Sequence, residues 1–86
     1  MSVIHKVALE QAPSQVIDPP NTWRPLKFDN QHGTPTIWYE GDPESGTKAR
    51  MVWLMFTGED VPPNSRYIGT AFFGQGDTLV VHCYVR

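Results

Sequence analysis

The residues with chemistry to offer are few and scattered. They are three histidines (His5, His32, His82), one cysteine (Cys83) and two acidic clusters, Glu40-Asp42-Glu44 and Glu59-Asp60. A metal site wants ligands at short fixed spacings, such as Cys-x-x-Cys or His-x-x-x-His, and none occurs here. His82 and Cys83 are adjacent in what reads as a strand, so they leave opposite faces and cannot chelate together. A cysteine paired with a histidine can be a nucleophile. Cys83, however, falls in phase with Leu79, Val81 and Val85, which predicts a buried and inert thiol. The first acidic cluster lacks the closing bidentate glutamate of a calcium loop, so both clusters read as solvated loop charge. Gly74-x-Gly76 opens no helix and forms no phosphate loop. With no constellation of nucleophile, base and orienter, the sequence predicts no enzyme and no cofactor.

The aromatic residues carry more information. Trp23, Trp38 and Trp53, with three tyrosines and four phenylalanines, are many for 86 residues. Those that the core cannot hold would mark an interface, where Trp, Tyr and Arg dominate binding energy. Two pairs stand out as binding candidates: Trp23 with Arg24, in a proline-bounded segment, and Arg66 with Tyr67. The competing role for Trp23 is to plug one end of the fold.

Composition narrows the partners. The formal charge is −2 and the pI about 5.8, with the seven lysines and arginines dispersed. That balance argues against non-specific nucleic-acid binding, which needs a basic patch, and against a polybasic membrane contact. The single cysteine rules out an internal disulfide, so no oxidising compartment is needed. Met1–Lys6 shows no apolar signal region, and the expected location is the cytoplasm.

These residues must be positioned by short strands. Eight prolines and seven glycines punctuate the chain, and no segment keeps a helical period over three turns. The pattern predicts a single all-β domain over residues 1–86, either a small antiparallel barrel or a two-layer sandwich of six to seven strands. Val3–Leu9 and Gln15–Ile17 look like a first hairpin, stopped by Pro19-Pro20. A third strand starts at Leu26, with Leu26 and Phe28 inward and Lys27 and Asp29 outward. Asn30–Gly33 turns the chain into Thr36–Glu40, whose two apolar faces place it inside a sheet. Gly41–Lys48 is a polar loop. Met51–Phe56, six apolar residues in a row, predicts a central strand covered on both faces, paired with Ile37–Glu40 and with a later strand. Thr57–Arg66 is a long connection, with a short helical turn near Glu59–Ser65 as one alternative. The last two strands are Tyr67–Phe73, with Ile68 and Phe72 on one face and Tyr67, Ala71 and Phe73 on the other, and Thr78–Val85.

The order of these signals is itself distinctive. Ile4–Leu9, Gln15–Pro20, Asn30–Pro35 with Trp38, Phe56-Thr57-Gly58, Tyr67-Ile68-Gly69-Thr70 and Leu79–Tyr84 follow one another along almost the whole chain. This resembles a family of short proteins encoded by bacteriophages and prophages and carried as a domain of unknown function. The Tyr-Ile-Gly-Thr step and the last strand with its embedded His82 are the most specific pieces, and Trp23-Arg24-Pro25 departs from the pattern. The resemblance implies a viral origin and an accessory role in an infected bacterium; it brings no catalytic or binding residues with it. The expected function is non-enzymatic binding of a bacterial host or anti-phage defence protein in the host cytoplasm. Two alternatives stand beside it. One is an oligomer that sequesters a nucleotide signal in pockets lined by Trp or Tyr and Arg; the other is a minor virion or assembly component. A homodimer or small homo-oligomer would add burial to so small a domain.

Overall fold

Alternating side chains and frequent turn residues give seven strands and no α-helix in the computed structural model, which describes residues 1–86. They are β1 (Val3–Ala8), β2 (Ser14–Ile17), β3 (Arg24–Gln31), β4 (Thr34–Gly41), β5 (Arg50–Phe56), β6 (Arg66–Phe73) and β7 (Leu79–Val85). All ladders are antiparallel, in a three-stranded sheet of order β1-β4-β3 and a four-stranded sheet of order β2-β5-β7-β6. The sheets do not close into a barrel. The fold is a two-layer sandwich.

The core is the pair of inner faces. Val7, Ile37 and Phe28 form one row across the first sheet. Val52, Val81, Cys83 and Val85 face them from the second, with Ala71 and Phe73 beside them. Phe28 and Phe73 meet across the layers with ring centroids 6.4 Å apart. Along one side the edge strands β3 and β6 run together without a hydrogen-bonded ladder. Gly69 makes that seam possible: a Cβ there would lie 3.2 Å from Phe28 Cβ and 3.4 Å from the Phe28 carbonyl oxygen. The Asn30 side-chain amide donates across the seam to the Phe72 carbonyl oxygen at 2.9 Å.

Several expectations need correction. β1 and β2 are not a hairpin; they belong to different sheets, β1 against β4 and β2 against β5. The link between them is a corner, in which the Gln15 amide both accepts from the Glu10 N–H (2.9 Å) and donates to the Glu10 carbonyl (2.8 Å). Leu26 sits at a bulge between Pro25 and Lys27 and stays 44% exposed. A second bulge between Tyr67 and Gly69 turns Tyr67 outward with Thr70 and Phe72, while Ile68 packs on the core. The expected alternation of that strand therefore breaks at its second residue. In the β3–β4 turn His32 and Gly33 take the positive φ values, 52° and 90°. The one helical turn lies at Gln75–Asp77 rather than near Glu59–Ser65.

Met51–Phe56 does run inside a sheet, as β5, but between β2 and β7; Ile37–Glu40 lies in the other layer. Only one of its faces is covered by a second layer. Val52 and Leu54 point to the core, whereas Met51, Trp53 and Met55 alternate to the outside.

Candidate functional site

The two outer faces of the sandwich differ in kind. On the first sheet, cross-strand register aligns Ile4, Glu40 and Arg24 in one row and Lys6, Trp38 and Lys27 in the next, while Ala8 and Asp29 flank Thr36, which is itself fully buried. Charges there are mutually satisfied: Arg24 Nε donates to Glu40 Oε1 at 2.6 Å, Lys27 Nζ lies 3.1 Å from Asp29, and Lys6 donates to Gln31 at 3.0 Å. The Asn30 N–H bond and the Lys27 ammonium hold the Asp29 carboxyl below its ordinary range. This is a hydrated surface.

Within its strands the outer face of the second sheet has no Lys, Arg, Asp or Glu, and Arg86 lies against it at one end, stacked on Trp53. Ser14, Trp53, Tyr84 and Tyr67 form one row, Met55, His82 and Thr70 the next, and Val80 pairs with Phe72. Tyr67 and Tyr84 meet edge to face at 5.6 Å. Tyr67 and Phe72 are 53% and 52% exposed, and Val16 at the β2 edge is 58% exposed. His82 is pinned flat into this face, with Nδ1 2.8 Å from Thr70 Oγ1 and Nε2 2.9 Å from Thr57 Oγ1. Tyr67 Oη closes the chain at 2.6 Å from Thr70 Oγ1. Thr57, His82, Thr70 and Tyr67 thus satisfy one another, whereas the Tyr84 hydroxyl and the Trp53 indole N–H have no internal partner.

A second feature occupies one end of the sandwich. Trp23 lies across the opening between the layers, tied by its N–H to the Pro20 carbonyl at 3.0 Å. Gly41 lets it approach, because a Cβ at that position would sit 3.2 Å from Pro20 Cβ and 3.3 Å from Trp23 Cα. The Trp23 indole packs on the core and meets Tyr39 edge-on at 5.8 Å. Its remaining surroundings form a cleft of about 350 Å³ shared with Arg50, Asn64, Ser65, Arg66, Val85 and Arg86. Register explains the convergence: Arg66 is opposite Val85, Val85 is opposite Val52, and Arg50 is two residues from Val52 on the same face. Arg50 sits over the Trp23 ring at 6.0 Å, and Arg86 over Trp53 at 4.7 Å. No carboxylate pairs with any of these three arginines.

Of the four candidate residues, Trp23 and Arg66 share this cleft. Arg24 points to the hydrated face and is engaged by Glu40, and Tyr67 belongs to the uncharged face. Trp23, half-buried, plugs the end of the sandwich and also lines an opening. Arg50 and Arg86 escaped sequence reading because their convergence depends on strand order, which no local pattern reveals. The outer face did leave a signal in Met51, Trp53 and Met55, the alternate residues of the apolar run.

Cys83 is fully buried, and burial pushes its thiol from 9.0 up to about 12. Between those values the unfolded chain carries a thiolate and the folded chain a thiol. The unfolded state therefore binds fewer protons, and stability falls as pH rises above about 9, at about 1.4 kcal/mol per unit. Thermal melts at pH 8 and pH 10 are expected to show a larger loss for the native protein than for Cys83→Ala. Equal losses would exclude this linkage.

The arrangement defines a two-sheet antiparallel β-sandwich with one hydrated face, one uncharged aromatic face and an arginine-rich end. Its 86 residues match, from 1 to 86, the family described as Domain of unknown function (DUF7352), and the chain belongs to that family. No curated protein and no solved structure matches it.

Proposed function

We propose that this is a non-enzymatic binding protein of bacteriophage origin, which engages a bacterial host or defence protein in the infected cell's cytoplasm through the outer face of its second sheet. The observation that carries the reading is the uncharged aromatic surface around Tyr67, Tyr84 and Phe72, set opposite a face whose charges are paired and hydrated. Apolar surface without a covering layer is the kind that partners bury, and tyrosines at its centre are residues that dominate interface energy. The order of motifs along the chain supports the phage assignment.

The test is affinity capture from bacterial lysate with the native protein and with the double variant Tyr67→Ala/Phe72→Ala. A stoichiometric partner is expected with the native chain, its affinity at least about tenfold weaker with the variant, in line with losses above about 1 kcal/mol at interface anchors. Both proteins should melt within a few degrees of each other. Sedimentation of the purified protein decides the rival occupant: self-association abolished by the same double variant would mean that a second copy covers the face, and the host-protein reading would fall.

A further inference from the structure

The arginine-rich end touches the aromatic face only where Arg86 stacks on Trp53, and it points to a ligand of its own. We propose that the cleft between Trp23, Arg50 and Arg66 binds the oxyanion of a phosphorylated small molecule. Three lysine and arginine side chains elsewhere have partners, Arg24 with Glu40, Lys27 with Asp29 and Lys6 with Gln31, and only the loop residue Lys48 has none. At the cleft the pattern reverses. Arg50 and Arg66 make no hydrogen bond or ion pair, and Arg50 Nε is buried without an acceptor. A buried donor of this kind is costly when left unsatisfied, and more so when charged. Neither guanidinium thus has an internal counter-charge, which an oxyanion in the cleft would supply.

Arg86 is held in place differently. Its guanidinium donates to the Pro63 carbonyl at 2.6 Å and stacks on Trp53, so it contributes fixed positive charge at the rim. The Asn64 side chain makes no internal hydrogen bond, whereas Ser65 Oγ is already engaged with the Pro62 carbonyl. Guanidinium groups present planar, paired N–H donors that match phosphate oxygens, and they keep their charge at any physiological pH. The volume of about 350 Å³ is at the small end of ligand pockets. It suits a phosphate or diphosphate group with a compact body against the indole. The net charge of −2 hides this local field entirely.

The probes are inorganic pyrophosphate and ADP, titrated against the full chain while tryptophan fluorescence and heat are recorded. Saturable binding is expected, weakened at least tenfold in Arg66→Ala and weakened by added salt. Arg66 is exposed, so its removal should leave the melting curve in place. Arg24→Ala removes the same charge from the opposite face and is expected to bind as the native protein does. No saturable response to either probe at millimolar concentration would overturn the proposal, as would equal losses in Arg24→Ala and Arg66→Ala. Neither Tyr67 nor Phe72 lines the cleft, so Tyr67→Ala/Phe72→Ala is expected to leave anion binding unchanged even where protein capture is lost.

Discussion

Replacing Ile37 with alanine is expected to remove about 2–5 kcal/mol of stability, from roughly 4–13 kcal/mol for a domain of 86 residues. Ile37 is fully buried at the centre of the first sheet, with Val7 on one side and Phe28 on the other. Those neighbours are fixed by ladders on both flanks of β4, so the cavity cannot collapse by moving a loop. Each kcal/mol shifts the melting temperature of a domain this small by about 4–8 °C. A drop of less than about 4 °C in Ile37→Ala would show that the site relaxes and that the central row does not carry the core.

Gly69→Val is expected to cost about 1–3 kcal/mol or more, with Gly69→Ala costing visibly less. β-Propensity alone would favour valine in a strand, but the steric argument decides the sign. A first carbon already stands 3.2 Å from Phe28 Cβ and within 3.5 Å of the Phe28 backbone oxygen and nitrogen. A backbone cannot rotate aside as a side-chain end does, so two further methyl groups would force β3 and β6 apart. Paired melting curves for the two variants give the test. If valine were as stable as glycine, the seam would be looser than its geometry states.

Much of this architecture was legible along the chain because strand identity is a local property. Alternation in Thr78–Val85, the apolar run at Met51–Phe56 and the proline pairs after Ile17 and after Val61 all marked element ends or interiors without knowledge of neighbours. Pairing was less legible. Gln11–Ser14 resembles a hairpin turn by composition, and only the Gln15–Glu10 hydrogen bonds show that it is a corner between layers. The bulges at Leu26 and Ile68 lay beyond periodicity reasoning, since each adds one residue and reverses the facing of those before it. The same limit governed the candidate sites. Trp23 and Arg66 could be singled out by type and by company, but their shared cleft is created by strands distant in sequence. For β5 the apolar run misled in one respect, because it read as double burial what is one core face and one outward aromatic face.

The two proline pairs have a further consequence. Pro19 and Pro20 are buried beneath the Trp23 segment, and Pro62 is buried and Pro63 accepts the Arg86 guanidinium. Proline pairs thus stand behind the cleft on both sides, with φ locked by their own rings, although they do not line it. They hold the backbone there before any molecule arrives, so the ordering left to impose falls on the exposed Arg66 and Asn64 side chains. Affinity there would be governed by desolvation and charge rather than by loop closure, and association would approach the speed of a rigid encounter instead of waiting for a lid to move.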